Sequence, residues 1–266
     1  AERIDRELVS DIKALIRYEP GVSVRNAQGR FGLTDFNIRG IEGNRVLLEV
    51  DGVRLPEAFA IGSFSNATRD GVDVDLLKRV DIVRGSASSL YGSNAIGGVV
   101  AFTTKGPADV LRADQAFGAR LKLGYGEEDD GSSATATFAG RAGSWSGLVA
   151  YTRRESGEYQ NRGTLASFDA TRTAPNPQDG YSDSVLAKAV WEPGESHTLR
   201  FSVEQSRSDV ASDVISARTR TPALVVLSLL ANDEQERLRF AVEHEFRDLG
   251  LALLDGGEWR LYRQDG

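Results

Sequence analysis

The sequence predicts a small α+β domain followed by antiparallel β-strands that each carry one apolar face. Short helical and strand patterns, interrupted by many glycines, fill the first part of the chain. After Phe117, apolar and polar residues alternate with the period of two that a half-exposed strand shows. No stretch approaches the roughly 20 consecutive apolar residues of a transmembrane helix. A helical membrane protein is therefore excluded, whereas a membrane β-barrel, which is built from alternating strands, is not.

Composition narrows the classes of function. The chain has 266 residues, of which 40% are hydrophobic and 27% charged, so it can bury a sizeable core. Its net charge of -7 argues against nucleic acid as a partner, because phosphate binding requires a basic surplus. The absence of Cys excludes disulfides and thiol nucleophiles, and the chain has only two His, so we expect no metal site.

The first domain, which we place at residues 1–107, begins with a helix and a hairpin. Leu8, Ile12 and Leu15 recur on one helical face, and this helix must end before Pro20. Asp51-Gly52 separates two strand-like runs and supplies the positive φ angles of a tight hairpin turn. The further expected elements are a strand from Val22, a polar loop over 56–73, a helix over 75–79 and strands over 80–83 and 99–103.

The second part is an expected linker over 108–115 and a strand region over 116–266. Leu199, Phe201 and Val203 alternate with polar or charged neighbours, which is typical of a strand with one apolar face. About seven such segments are expected, at 119–125, 134–140, 145–152, 185–191, 199–203, 238–242 and 259–262.

A membrane β-barrel and a soluble β-sandwich both fit this alternation. Short connections at 141–144 and 192–196 alternate with long polar ones at 155–183 and 206–232, as turns and loops do in outer-membrane barrels. Aromatic residues recur near strand ends, as in interfacial girdles, at Phe117, Tyr125, Trp145, Tyr151, Trp191 and Trp259. Both observations favour the barrel.

A run of short motifs occurs in the first domain in a characteristic order. The motifs are Ile38-Arg39-Gly40, Val50-Asp51-Gly52-Val53, Val80-Asp81-Ile82-Val83-Arg84-Gly85, Ser88-Ser89-Leu90-Tyr91-Gly92-Ser93 and Ala95-Ile96-Gly97-Gly98-Val99-Val100. At these spacings the run resembles the plug domain of TonB-dependent outer-membrane receptors over residues 8–105. The Tyr18-Glu19-Pro20-Gly21-Val22 segment and the hairpin that begins at Asn44-Arg45-Val46 are most similar to the haem/haemoglobin receptor branch.

The resemblance implies a fold and a function. The fold is an α+β plug followed by antiparallel transmembrane β-barrel strands, the N-terminal part of a plugged barrel of about 22 strands. The function is that of a receptor and transporter, not an enzyme, surrounded by the lipid of the outer membrane of a Gram-negative bacterium. It would import an iron source, haem or haemoglobin-derived haem, with energy from TonB, ExbB and ExbD. A ferric-siderophore or cobalamin receptor is the alternative within the family, and a surface-exposed β-sandwich binding module is the alternative from another class.

The expected ligand contacts lie on two outward-facing plug loops, residues 27–36 and 56–73. Aromatic, amide and basic side chains there suit a flat apolar macrocycle with acidic groups. They are Phe31, Phe59, Phe64, Asn66 and Arg69. The plug holds no His, so no axial haem ligand is expected from it. No intrinsic cofactor is expected, and haem or a ferric chelate would be transported substrate.

Arg39 and Arg84 are the expected anchors of the plug. Each lies beside a glycine at the end of a strand-like run, and the resemblance implies ion pairs between these arginines and barrel glutamates on later strands. A solvated strand end is the alternative for both. Glu204, Glu243 and Glu245 face the lumen by the alternation but are not assigned as their partners. No nucleotide-binding loop or catalytic serine elbow is present, so no catalytic residue is assigned.

Overall fold

The computed structural model describes residues 9–27, 30, 32–61, 65–69, 71–127, 129–248 and 255–266. An α+β domain, here called the plug (residues 9–115), lies against a seven-stranded antiparallel sheet, here called the wall (residues 117–266). None of the helices in the described ranges has the length and the hydropathy needed to cross a bilayer.

The plug combines short helices with a small mixed sheet. Its elements are α1 (Ile12–Leu15), β1 (Val22–Ala27), β2 (Gly32–Ile38), β3 (Val46–Val50), β4 (Val53–Arg54), β5 (Phe59–Ile61), β6 (Ser65–Ala67), β7 (Leu77–Arg84), α2 (Ser88–Tyr91) and β8 (Gly98–Thr104). Four strands form one sheet in the order β4-β3-β8-β7, in which β3 and β8 are parallel. Phe36 and Phe102 meet in the core with ring centroids 5.9 Å apart, so β2 packs against this sheet.

Helix α1 begins where the sequence provides a cap. The carboxylate of Asp11 accepts a hydrogen bond from the backbone N–H of Ala14 at 2.6 Å. Ile12 is buried in the plug core. The helix ends at Leu15, ahead of Pro20, as the sequence predicts.

The helix predicted over 75–79 is wrong. The chain forms a 3-10 turn at Val74–Leu76 and enters β7 at Leu77. The carboxylate of Asp73 caps this turn by accepting a hydrogen bond from the N–H of Asp75 at 2.8 Å. Leu77 is fully buried, and β7 pairs with β8 along its length. Tertiary pairing therefore overrides the local helical pattern.

The wall contains the seven strands that the alternation predicts. They are β9 (Phe117–Gly126), β10 (Gly131–Ala142), β11 (Trp145–Ser156), β12 (Gln178–Gly194), β13 (His197–Asp213), β16 (Leu230–Phe246) and β17 (Gly257–Asp265), with a small hairpin of β14 (Thr219–Arg220) and β15 (Val225–Val226) between β13 and β16. Each wall strand pairs antiparallel with the next wall strand along the chain. Because these strands form one sheet and not two stacked sheets, the β-sandwich alternative is wrong.

Several wall strands are longer than predicted. Strands β12 and β13 each have 17 residues, so the long connections shrink to 157–177 and 214–229. Polar pairs such as Tyr181 opposite Asp209 continue the ladder past the apolar segment. The backbone hydrogen bonds of a ladder do not depend on side-chain polarity, so alternation alone underestimates strand length.

The two faces of the wall differ as the alternation predicts. Large apolar side chains are exposed on the face turned away from the plug, for example Leu121, Val149 and Phe240. The opposite face carries Lys188 and Arg239, which pair with Asp51 of the plug. The polar face therefore holds the plug, and the apolar face is turned away from it.

An aromatic row borders the apolar face at one end. At the end with the short connections, Trp145 stacks on Trp191 with ring centroids 5.5 Å apart, and Trp259 lies on the same face. Tyr125 lies near the other end of β9, whereas Tyr151 lies near the middle of β11. The row of tryptophans is typical of an interfacial girdle.

Candidate functional site at the seam between plug and wall

The Asp51-Gly52 turn brings a carboxylate from the plug to the wall. Both residues have positive φ, 49° and 71°, as the tight turn between β3 and β4 requires. The Asp51 carboxylate accepts hydrogen bonds from the N–H of Thr104 at 2.9 Å and from its hydroxyl at 2.6 Å. On the wall side it pairs with Lys188 at 3.1 Å and Arg239 at 3.4 Å. One turn of the plug is thus bound to two wall strands.

The surroundings of Asp51 keep its carboxyl ionised. Burial by itself raises the pKa of Asp51, but the positive charge of Lys188 and the hydrogen bonds from Thr104 outweigh burial. The pKa of Asp51 is therefore lowered from its ordinary value of 3.8. At neutral pH this group is a fixed negative charge facing the basic wall.

We expect acid to weaken this contact only below about pH 4. A carboxyl with a depressed pKa stabilises the folded state above its unfolded-state pKa of about 3.9, and the contribution disappears as pH falls through the lower folded-state pKa. Thermal unfolding of the full receptor from about pH 7 down to about pH 3 measures this loss. Asp51→Asn should lower stability at neutral pH and remove this part of the acid dependence. Parallel curves for wild type and variant across the acid range would contradict the assignment.

Two buried arginines of β16 flank one glutamate of β13. The guanidinium groups of Arg237 and Arg239 both donate to the carboxylate of Glu204. Arg239, which is 1% exposed, also donates to the carbonyl of Val50, and Arg237 donates to the carbonyl of Gly71 at 3.1 Å. The wall therefore holds two separate plug segments by their backbone carbonyls.

A second ion cluster joins the start of β7 to β9, β10 and β11. Arg154 donates to Asp73 at 2.8 Å and to Asp75 at 2.7 Å. The ammonium of Lys122 also pairs with Asp75, and the hydroxyl of Thr135 donates to the same carboxylate at 3.2 Å. Asp75 is 2% exposed, so three wall strands contact one buried carboxylate.

Strand β16 continues the seam toward the end with the long connections. Gln235 exchanges two hydrogen bonds with Thr68, at 3.0 Å and 2.9 Å. Asp233 accepts two hydrogen bonds from the guanidinium of Arg30, at 2.7 Å and 2.6 Å. Together with the two arginines above, these residues alternate along the plug-facing side of one strand.

An apolar contact lies beside the polar seam. Leu76 and Leu111 of the plug pack in one buried cluster with wall residues Ala139, Leu148 and Leu186. Burial of this kind stabilises by roughly 25 cal/mol per Å² and is not directional. This apolar contact stabilises the plug against the wall, while the ion pairs fix the position of the plug.

The seam can hold the plug at rest and also let it separate. The plug contributes the acidic groups Asp51, Asp73 and Asp75, and the wall contributes most of the basic ones. A polar cavity of about 540 Å³ lies between plug and wall beside Asp51 and Lys188. Ion pairs are strong in a dry contact, but an exposed pair contributes only about 0 to 1 kcal/mol once water enters. Separation therefore becomes easier as the seam opens.

The predicted anchors Arg39 and Arg84 make plug contacts. Arg84 donates to the carbonyl of Pro20 at 2.8 Å, and its guanidinium lies 3.5 Å from the carboxylate of Glu19. Arg39 is exposed, with φ 51°, and its backbone N–H donates to the carbonyl of Gly21 at 2.9 Å. Their pairing with glutamates on later strands stays a prediction. In most of the ion pairs described between plug and wall, the plug supplies the acidic group and the wall supplies the basic one.

The predicted ligand contacts fall in different surroundings. Phe59 is 52% exposed on β5, and Asn66 lies in β6, where only the backbone is described. Phe31 and Phe64 lie outside the described residues. The loop expected over 27–36 is shorter than predicted, because β2 begins at Gly32.

Arg69 has a structural role in the plug. It is 7% exposed, and its guanidinium donates to the carboxylate of Asp35 at 2.6 Å and 2.9 Å. It also donates to the carbonyls of Val46 at 2.9 Å and Gly43 at 2.7 Å. Arg69 therefore ties three plug segments together, and the expectation that it meets a ligand does not fit its burial.

Sequence reasoning missed the acidic side of the seam. It predicts the Asp51-Gly52 turn but not the partners of its carboxylate, and it places Asp75 in a helix. The available signal is the series of basic residues at plug-facing positions, such as Lys122 and Lys188, since buried bases require acidic partners. Within the described ranges, no group of three or more His, Asp or Glu side chains is arranged to hold a metal ion.

Comparison with known proteins identifies the family. Residues 1–99 match the family model described as TonB-dependent Receptor Plug Domain. The Hemoglobin-binding protein A of Haemophilus influenzae is 33% identical over 264 residues, which covers 92% of this chain and 26% of that protein. The Hemoglobin and hemoglobin-haptoglobin-binding protein A of the same species is 35% identical over 217 residues, 76% of this chain and 20% of that protein. Among solved structures, the FrpB iron transporter of Neisseria meningitidis matches with a TM-score of 0.76 at 21% identity, over 96% of this chain and 38% of that one.

The chain belongs to the TonB-dependent receptors. Its plug and the antiparallel strands that follow have the fold of that family, as the sequence motifs predict. The chain spans about a quarter or less of the length of the two curated relatives it matches.

Proposed function

We propose that the protein is part of an outer-membrane receptor that binds haem or haemoglobin-derived haem and imports it. The observation that carries the proposal is the identity of 33% and 35% to two proteins whose names state haemoglobin binding. The apolar outward face of the wall, bordered at one end by an aromatic row, supports a location in the outer membrane of a Gram-negative bacterium.

TonB, with ExbB and ExbD, is the proposed energy source. The seam supports this, because it joins the plug to the wall at several separate ion pairs and not through one continuous core. A pull on the plug can break such contacts one after another, each step admitting water that hydrates the freed charges. Import then proceeds through the space that the displaced plug leaves.

The β5–β6 hairpin is the proposed plug contact for the ligand. Phe59 and Ile61 are 52% and 62% exposed there. An exposed aromatic ring beside an aliphatic side chain suits a flat apolar macrocycle. Phe31, Phe64 and Asn66 remain proposed contacts on the same grounds of residue type. Haem is transported substrate in this proposal, and a ferric siderophore or cobalamin is the alternative ligand.

Growth on defined iron sources tests the proposed function. The full-length receptor is expressed in an iron-starved strain that lacks its own outer-membrane receptors for haem and siderophores. We expect growth on haem or haemoglobin as sole iron source. A Phe59→Ser, Ile61→Ser double variant should grow more slowly at an unchanged receptor level. Growth on ferric siderophores but not on haem or haemoglobin would contradict the haem assignment and leave the family assignment intact.

Arginine on the outward face should prevent assembly in the membrane. Phe201 lies on that face within the apolar segment of β13, between Ala189 and Val242 of the neighbouring strands. An arginine at the bilayer midplane costs roughly 2 to 4 kcal/mol. Phe201→Arg should therefore reduce the heat-modifiable receptor in outer-membrane fractions. Ser202→Arg is the matched control, since Ser202 lines the polar cavity between plug and wall. Equal losses on the two faces would contradict the assigned orientation.

A further inference from the structure

The outward face of the wall carries a groove that the proposed function does not use. The groove has a volume of about 810 Å³, and large apolar side chains such as Phe138, Phe201 and Phe240 border it. Small residues make room between them, namely Gly140, Gly147, Ala187 and Ala189. A long, flexible hydrocarbon chain fits such a groove better than a rigid polar molecule does.

Three hydrogen-bonded rings lie next to the groove on the same face. Nε1 of Trp259 donates to Nδ1 of His244 at 3.0 Å, and Nε2 of His244 lies 3.1 Å from Nδ1 of His197. In the β13–β16 ladder, His244 lies two positions from Val242, which lines the groove. We call Trp259, His244 and His197 the ring relay.

The direction of the ring relay follows from the chemistry of its nitrogens. An indole N–H can only donate, so Nδ1 of His244 must accept and carries no proton. The neutral His244 ring then has its proton on Nε2 and donates it to Nδ1 of His197. His197 in turn carries its proton on Nε2. The relay therefore ends in one N–H donor, on a half-buried ring beside an apolar groove.

The ring relay lies at the end of the wall that has the two shortest connections. His197 follows a turn at 195–196, and the stacked Trp145 follows a turn at 143–144. The connections at 157–177 and 214–229 lie at the opposite end. In outer-membrane barrels the short turns are periplasmic. The relay is therefore at the level of the periplasmic headgroups, and the groove extends from it into the hydrocarbon.

We propose that the groove and the ring relay bind one glycerophospholipid of the periplasmic leaflet. Its acyl chains occupy the groove, and a phosphate oxygen accepts the hydrogen bond from Nε2 of His197. The proposal rests on the outer-membrane location given above. Acyl chains that pack in the groove bury apolar surface and gain dispersion contacts, and both effects are favourable. A hydrogen bond to a charged phosphate oxygen is stronger than one between neutral groups, which fixes the headgroup.

Native mass spectrometry of the full-length receptor tests this site, with phosphatidylethanolamine in mild detergent as the probe. Wild type should retain one phospholipid per receptor after washing. Ala187→Phe with Ala189→Phe fills the groove and should lower the retained fraction about tenfold. His197→Phe keeps a ring but removes the donor, and should lower retention roughly threefold to tenfold. Leu123→Phe is the matched control, because Leu123 is exposed on the same face and does not line the groove.

All variants are compared on the heat-modifiable, assembled fraction, and Ala189→Leu replaces the double variant where that variant does not assemble. Equal retention in wild type, groove variants and control would overturn the site. Retention of lipopolysaccharide in place of phospholipid would overturn it as well, since that lipid belongs to the opposite leaflet. A receptor that assembles and imports haem but keeps no phospholipid would refute the site and leave the proposed function standing. Absence from the outer membrane would instead refute the proposed function.

Discussion

Replacing Arg239 by leucine should release the plug from the wall far more often than in the wild type. Arg239 is buried, donates to the carbonyl of Val50 and to Glu204, and lies 3.4 Å from Asp51. Arg239→Leu removes the arginine donor from the carbonyl of Val50 and leaves Glu204 with Arg237 alone in a buried place, which costs about 3 kcal/mol, the lower end of the range for breaking a buried pair. Protease cleavage within the plug of the native, full-length receptor measures the open population. It should rise roughly 100-fold or more.

Arg263→Leu is the matched control for this experiment. Arg263 is also an arginine on a wall strand, but its side chain is 78% exposed and pairs with Asp265 on the surface. An exposed pair contributes about 0 to 1 kcal/mol, so plug cleavage should stay near the wild-type rate. Equal cleavage in wild type and Arg239→Leu would show that the arginines of β16 do not hold the plug.

Replacing Asp75 by asparagine should have the next largest effect. The carboxylate of Asp75 accepts from Arg154 at 2.7 Å and pairs with Lys122. In the Asp75→Asn variant, Lys122 loses its acidic partner, and Arg154 keeps only the carboxylate of Asp73. The loss is below about 3 kcal/mol, less than for a fully buried pair because Arg154 is partly exposed. Urea-dependent release of the plug, followed by cleavage, measures it.

A double-mutant cycle separates the ion pair from simple disruption. Arg154→Met removes the charge and keeps an unbranched side chain of similar length. If Asp75 and Arg154 act as a pair, the effects of the two substitutions should fall short of additive by about 1 to 3 kcal/mol. Lys78→Met is a control for the cycle, since Lys78 pairs with Asp109 in the plug and is half exposed. Additive effects of Asp75→Asn and Arg154→Met would contradict the pairing.

Local sequence patterns were sufficient to predict the two faces of the wall and the tight turn of the plug. The alternation around Phe201 and Phe240 predicts which face of the wall is apolar, because side-chain direction in a strand repeats every two residues. The Asp51-Gly52 pair predicts its turn, because few residues adopt two successive positive φ angles. Both signals act within a few residues of the chain.

The seam was not predictable in the same way. Arg239 and its acceptor Val50 are 189 residues apart in the sequence, so no local pattern joins them. Arg69 lies in a polar, glycine-containing segment that is typical of an exposed loop. Arg69 is buried because β2, which is distant in the sequence, brings the carboxylate of Asp35 within 2.6 Å of its guanidinium. The helix expected over 75–79 fails for the same reason, because pairing with β8 decides its conformation.

A reversible cross-link across the seam tests most directly whether the plug must leave the wall for import. A Cβ placed on Gly71 would lie 3.7 Å from Oγ of Ser206, and the chain contains no Cys, so Gly71→Cys with Ser206→Cys introduces one defined pair. Gly124→Cys with Ser133→Cys is the control, because these residues face each other within the wall. Uptake of radiolabelled haem by cells should stop when the plug–wall pair is oxidised, return after reduction, and continue throughout in the control. Uptake through the oxidised, cross-linked receptor at the rate of the reduced one would contradict the account.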